Sequence, residues 1–467
     1  MPILTPDSAT AGLPAAPAAR KPAAARALLP RWGARLGAAA AALALLVACP
    51  WERLDTSFDW DRTPLPEAGA QETAGWIRRV LTIQSRGEAL ECWLYTPKHT
   101  PGGAAAAGCG AARRGAARRG AARRGAVPPP PLPLVTAPLR GPAAARPPPV
   151  LIMGHGMGAQ KDIGLWKYAE KFVAEGMAVL VFDYRGFGGS GGLPRHWVSP
   201  RRHLEDWDAV VSHVQATGLG GAVDASRVAL WGVSYGGGHV IVTAAKFGRT
   251  IGAVIANEPY VSPEAVRASV RMRGLARSLR LLAVGVADAL RGLLGERLGL
   301  PGLPPIYLRL FAPLSDPAAL SLLQLQDSEM AIRGENAPPR RQGGWQNKVL
   351  ARVVLEALGY DPSARLGAVT APLFFRVASK DHLCPPAVLR AALARAGLPG
   401  GQVVVQERDV THLEAHAEGV RPEELAPAAA FLRRHLGLAE RAPGDAAPAG
   451  GGGNDGGDAE AQFPLTE

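Results

Sequence analysis

From Val150 onward the apolar residues fall into short unbroken runs that alternate with stretches of helical spacing. "VLIMGHG" from Val150 and "MAVLVFDYRG" from Met177 are continuous apolar runs closed by turn residues, and "LWKYAEKFVAEG" between them carries its apolar positions on one helical face. The pattern predicts strand, helix, strand. It repeats through "HLEDWDAVVSHVQATG", a helix stopping at Gly218, then the strand "SRVALWGVS", a helix of small residues, and the strand "IGAVIANEP". After a stretch read as mainly helical, about 260–366, the alternation resumes with "APLFFRVAS", "PAVLRAALARAG", "GQVVVQERDV" and a closing helix "ELAPAAAFLRRHLG". Strands apolar on both faces, each followed by a helix, predict an α/β fold with a mostly parallel sheet covered on both sides.

The flanks read differently. "GWIRRVLTIQSRGEALECWLYTP", residues 75–97, has the alternation of two strands around a turn at Ser85-Arg86-Gly87. Periodicity then disappears over 99–148, across Gly/Ala/Arg repeats and proline runs that cannot bury enough apolar surface to offset the entropy of ordering them. The expected organisation is a targeting or anchor region with its linker over 1–74, one folded domain over 75–441 with a disordered insert at 99–148, and a disordered tail at 442–467. Between Ser8 and Trp51 there is no acidic residue, and "LGAAAAALALLVACP" follows five basic positions. That run suits a signal-peptide core or a tilted signal anchor, which would allow membrane association, while the acid-free Arg/Ala lead equally suits a plastid or mitochondrial transit peptide.

The net charge is +12 in 467 residues. Its excess lies in the first fifty residues and in "GAARRGAARRGAARRG", whereas the patterned regions mix both signs, and no aromatics interleave with the arginines to stack on bases. Nucleic acid is therefore not an expected partner. Cys49, Cys92, Cys109 and Cys384 are scattered without a CxxC pair or a histidine cluster, so neither a disulfide framework nor a zinc site is indicated.

Candidate chemistry centres on Gly232-Val233-Ser234-Tyr235-Gly236. A strand that feeds directly into a helix through a tight turn forces the central residue into a strained conformation, and side chains two positions to either side would collide with the neighbouring elements. A nucleophilic serine there requires a base, and the base an orienting acid, each after a later strand. Asp381, in "VASKDHLCPP", and His412, in "ERDVTHLEAH", satisfy this in the chain order Ser, Asp, His. His416 is the alternative base, and Asp361 and Asp327 the alternative acids.

Together "GHGMGAQKD", "FDYRGFGGSGG", "WGVSYGGG", "VASKDHLCPP" and "DVTHLEAH" make the chain resemble an α/β-hydrolase-fold serine hydrolase, in the branch of dienelactone-hydrolase-like, serine-aminopeptidase-like and Xaa-Pro-peptidase-like enzymes. The resemblance covers 75–98 and 149–438. It implies Ser234 as nucleophile, Asp381 as acid, His412 as base, and the backbone N–H groups of Met157 and Tyr235 as the oxyanion hole. It also implies a structural role for Asp183 and Arg185, the latter tying down backbone carbonyls, and a helical cap over the site. The amphipathic "VRMRGLARSLRLLAVGVADALRGLLGERLGL" fits that cap, "GGWQNKVLARVVLEAL" would begin its last helix, and Trp345 would line the pocket. The expected activity is cleavage of an ester, thioester or amide through an acyl-enzyme, on a small-molecule acyl substrate, with no metal or organic cofactor implied. The rivals are a peptidase using the same machinery and a catalytically silent binding protein.

Overall fold

The computed structural model of the protein describes residues 71–98, 146–267, 274–298, 304–316, 319–325 and 345–439. Residues 1–70 of the expected targeting region and linker, all but the last residues of the insert and the expected tail lie outside the described residues, as do parts of the cap, whereas Gln71–Glu72 at the end of the expected linker form a strand of the sheet. No helix among the described residues is long and apolar enough to cross a membrane.

In chain order the sheet is built from β1 (Gln71–Glu72), β2 (Trp76–Ser85), β3 (Glu88–Pro97), β4 (Pro149–Gly154), β5 (Ala178–Phe182), β6 (Asp224–Val233) and β7 (Ile251–Asn257), and after the cap from β11 (Leu373–Ala378) and β12 (Val403–Arg408). Their spatial order is β1-β2-β3-β5-β4-β6-β7-β11-β12. β1, β2 and β3 pair antiparallel, β3 meets β5 antiparallel, and from β5 to β12 every pairing is parallel.

The continuous apolar runs are explained by helices on both faces. In β4, Val150 and Ile152 enter one core with Trp207, Val210 and Val240, while Leu151 and Met153 enter the other with Phe172, Leu425 and Phe431. Successive side chains of a strand point to opposite faces, so a strand buried twice has no polar position to spare. The helices α1 (Leu165–Ala174) and α8 (Pro422–His435) cover the second core, and α2 (Pro200–Gly221), α3 (Tyr235–Phe247) and α6 (Pro386–Ala396) the first. In α1, Leu165, Tyr168, Ala169, Phe172 and Val173 form the single buried stripe that helical spacing requires. Regular helical backbone in α2 stops where expected, with left-handed φ values of 52°, 49° and 69° at Gly218, Leu219 and Gly220.

Between β7 and β11 the structure departs from the mainly helical expectation. α4 (Leu275–Leu298) is there, but β8 (Tyr307–Pro313), β9 (Ser321–Leu325) and β10 (Lys348–Leu350) form a second sheet in the order β10-β8-β9, and only Val353–Leu358, α5, remains of the expected last cap helix. Physically, Pro304 and Pro305 prevent a helix from continuing through to β8 from the N-terminal side, and its "YLRLFAP" carries a strand pattern in which Arg309 is exposed and Leu308 and Leu310 are buried. Buried Asp288 joins α4 to this sheet, accepting from Arg352 Nε at 2.7 Å and from the Ile306 N–H at 2.9 Å.

Arg185 ties the loop after β5 to α2, chiefly through carboxylates rather than the carbonyls expected. Its Nε reaches Asp206 at 2.5 Å, its Nη2 reaches Glu205 at 2.7 Å, and one carbonyl, that of Arg202, accepts at 2.8 Å. Asp206 is fully buried and also accepts from Ser85 Oγ at 2.7 Å. Removing one partner of a buried ion pair strands the other, which costs about 3–5 kcal/mol. Asp206→Ala is therefore expected to lower the unfolding free energy by about that amount, read from the urea midpoint, and a change within 1 kcal/mol would show the network to be structurally idle.

Candidate active site

Ser234 sits between β6 and α3 with φ 53° and ψ −118°, a backbone region that L side chains rarely occupy. It is pinned on both sides. Its N–H donates to the Asn257 carbonyl at 2.8 Å, and its carbonyl accepts from the Tyr260 N–H at 2.9 Å. The two glycines of the pentad are required by contact: a Cβ on Gly232 would lie 2.2 Å from the Gly236 carbonyl oxygen, and one on Gly236 would lie 2.5 Å from that of His155.

Asp381 and His412 are brought to this serine by the turns that end β11 and β12. Asp381 Oδ1 accepts from the N–H groups of Leu383 and Cys384, both at 2.8 Å, which leaves Oδ2 to accept from His412 Nδ1 at 2.5 Å. His412 opens α7 (His412–Glu418), whose start is fixed by a capping box between Thr411 and Glu414. Its Nε2 lies 3.1 Å from Ser234 Oγ. Burial by itself would raise the Asp381 carboxyl, but His412 and the two N–H groups hold it below the ordinary value.

The alternatives are placed elsewhere. His416 packs one turn along α7, its ring 5.7 Å from that of His412, and burial lowers it to about 3. Asp361 caps a short turn by accepting from the Ser363 N–H at 3.1 Å. Asp327 lies outside the described residues.

The segment after β4 passes so close to the serine that a Cβ on Gly156 would come within 3.2 Å of the Ser234 Cβ. Among the described residues no hydrogen bond engages the main-chain N–H of Met157 or of Tyr235. Both residues line the cavity in front of Ser234. Buried Lys161 anchors this segment: its N–H donates to Asp183 Oδ1 at 2.7 Å, and its ammonium pairs with Asp183 Oδ2 and with Glu91 at 2.7 Å. The structural reading of Asp183 thus has a specific content, since it fastens the loop carrying Met157 to the end of β5.

Several groups here carried no sequence signal. Beneath α3, His203 Nδ1 meets His239 Nε2 at 3.2 Å and His239 Nδ1 meets the Tyr360 hydroxyl at 2.7 Å, while Tyr184 stacks on His203. Glu258, buried at the end of β7, is pushed up to about 7 by burial against the opposing pull of Arg376 and His412. The Cys384 thiol beside Ser234 is raised well above its ordinary value by burial and by the charges of Asp381 and Glu258, so it stays a neutral thiol and a poor competitor as nucleophile. Asp381, Cys384 and His412 bring ligand-type atoms within 4.8 Å of one another. That set suits a proton relay better than a metal, because the thiol is held protonated and the carboxylate and imidazole already engage each other.

Two cavities open on either side of Ser234, and Trp345 lines one of them as expected, donating from Nε1 to the Gly158 carbonyl at 2.8 Å. Neither is lined by Asp, Glu, Lys or Arg among the described residues.

A parallel sheet with helices on both faces, an elbow serine after a central strand and a cap inserted before the acid strand define an α/β hydrolase. The sequence profile of the serine aminopeptidase S33 family matches residues 145–408, more than half of the chain, and the chain belongs to this hydrolase family. Over 239 residues, 51% of this chain and 71% of the relative, it is 34% identical to the quorum-quenching protein AidA of Acinetobacter baumannii (strain MDR-ZJ06). It is 39% identical over 114 residues, 24% of this chain and 34% of the relative, to the thiohydrolase aneE of Aspergillus aculeatus. Among solved structures it resembles the alpha/beta hydrolase GrgF from Penicillium sp. sh18, with a TM-score of 0.55 at 20% identity over 77% of this chain and 99% of that one, a likeness of fold alone.

Two outcomes follow from this geometry. Left-handed backbone at a residue other than glycine stores about 1–3 kcal/mol, so Ser234→Gly is expected to raise the thermal midpoint even though it removes the bond to His412; a lower midpoint would mean that the elbow is unstrained. Burial also lowers His239 to about 3 and His155 to about 4, and lowers His203 well below its ordinary 6.5. Below pH 6.5 the unfolded chain therefore binds protons that the folded chain refuses, so stability is lost as pH falls from about 6.5 toward 4, by up to about 1.4 kcal/mol per pH unit for each group. Urea midpoints at pH 7.5, 6 and 5 measure this, and a flat profile would contradict it.

Proposed function

We propose that the protein is a serine hydrolase that cleaves the ester or thioester of an apolar acyl group through an acyl-enzyme. The observation that carries this reading is the unbroken line Asp381–His412–Ser234, with bonds of 2.5 and 3.1 Å, ending on the strained elbow residue. His412 Nε2 takes the Ser234 proton, Oγ attacks the carbonyl carbon, and the oxyanion is held by the N–H groups of Met157 and Tyr235. The proton then passes from His412 to the departing oxygen or sulfur. Water activated by the same imidazole frees the acid and restores the serine. Asp381 keeps Nδ1 protonated and stabilises the imidazolium without taking the proton itself. No step uses a metal or an organic cofactor.

Acyl chemistry is favoured over aminopeptidase activity by the cavity walls. A free amino terminus is a cation that needs a carboxylate partner when desolvated, and none lines either cavity among the described residues. The similarity to the thiohydrolase aneE points the same way. A fluorophosphonate probe is expected to label Ser234, and Ser234→Ala to abolish both labelling and turnover of p-nitrophenyl esters, a loss on the order of 10⁴-fold or more in kcat. Asp381→Asn should cost on the order of 10³- to 10⁴-fold. Labelling that survives Ser234→Ala would falsify the nucleophile, and preference for aminoacyl anilides over esters would overturn the substrate class.

A further inference from the structure

Resting on that acyl-enzyme reading, we infer that the two cavities are separate subsites with fixed roles: the larger one under α4 holds the acyl chain, and the smaller one beside His412 holds the leaving group. The substrate class is an ester or thioester that is apolar and uncharged on both sides of the scissile bond.

The assignment comes from which side of Ser234 the proton donor occupies. When the tetrahedral intermediate collapses, the bond between the carbonyl carbon and the leaving heteroatom breaks, and that heteroatom takes the proton that His412 Nε2 received from Ser234 Oγ. The leaving group must therefore lie against His412. His412 lines the smaller cavity, about 120 Å³, with Ile163, Tyr168, Phe311, Trp345 and Leu413. It does not line the larger one, about 260 Å³, which is walled by Val266, Leu279, Leu281, Leu282, Leu322 and Val354. Tyr235, on the oxyanion side, belongs to the larger cavity alone, whereas Met157, Leu323 and Leu383 line both and stand at the divide around Ser234.

The chemistry of the walls fits this division. The larger cavity is bounded mainly by aliphatic side chains from α4, β9 and α5, with Tyr235 and Tyr260 at its wall, a lining that rewards length in an alkyl chain. Aromatic rings and the neutral His416 line the other, which suits a flat or ring-shaped leaving group. Charged substrates are disfavoured on both sides, since among the described residues no Asp, Glu, Lys or Arg lines either cavity to pair with the charge.

The test uses the full chain and two space-filling variants that leave the triad untouched, Leu282→Trp in the larger cavity and Ile163→Trp in the smaller. With wild-type protein, kcat/KM on p-nitrophenyl esters is expected to rise by about fourfold per methylene from acetyl toward octanoyl, the factor for burying one methylene. Leu282→Trp should cut the octanoyl rate at least tenfold and spare the acetyl rate. Ile163→Trp should leave the chain-length profile unchanged and instead reduce naphthyl relative to methyl octanoate. Pre-steady-state kinetics adds a readout that altered folding cannot imitate. The octanoyl-enzyme is the same species whichever ester made it, so Leu282→Trp should change its rate of hydrolysis, and Ile163→Trp should not. Active-site titration normalises each rate to competent protein. The opposite pattern, or equal effects of both variants on both series, would overturn the assignment while leaving the hydrolase reading intact. Absence of any burst together with absence of fluorophosphonate labelling would instead remove the reading beneath it.

Discussion

Everything at the site depends on how closely three backbones are allowed to approach one another. The end of β6, the first turn of α3 and the segment following β4 converge so tightly that neither Gly232 nor Gly236 has room for a single additional carbon. That crowding holds Ser234 in left-handed backbone and at the same time brings the Met157 loop alongside it. The proposed nucleophile and the proposed oxyanion donors are thus consequences of one packing event. Their geometry is over-determined by rigid strands, in the way that pre-organised sites require.

Asp381 and His412, the proposed acid and base, reach this point by a different device, short-range hydrogen bonding at the ends of the last two strands. Main-chain N–H groups occupy one Asp381 oxygen and leave the other for the imidazole, and the Thr411–Glu414 capping box sets where α7, and with it His412, begins. Around them the environment keeps competing groups out of the way. The neighbouring thiol is kept neutral, His416 is kept neutral, and the buried charged cluster of Lys161 with Asp183 and Glu91 is internally paired and spent on holding the loop. Glu258, pushed up to about 7, is the neighbouring group whose charge changes near neutral pH.

Much of this could be read from the sequence where local rules and the fold agree. The buried strands, the stop of α2 at Gly218 and the pentad around Ser234 are written in apolar runs and glycines, and the positions of Asp381 and His412 follow once the strands before them are recognised. The cap was misread because amphipathic helix spacing in α4 was extended past Pro304 and Pro305, where the chain turns to strands whose pairing is set by contacts distant in sequence. His203, His239 and Tyr360 left no trace for a related reason: they lie far apart along the chain and meet only beneath α3, so no spacing announces them. Nothing in the sequence around Lys161 tells that it is almost wholly buried, which only the fold reveals.

The cap enters the sheet architecture at one place and leaves it at one place, after Asn257 and before Leu373. Most of the walls of the larger cavity come from that single excursion, whereas the serine, acid, base and oxyanion loop all come from outside it. Heritable change can therefore act on the two halves of the molecule separately. An insertion, deletion or exchange confined to one contiguous stretch of coding sequence would give the same bond-breaking apparatus a new clientele.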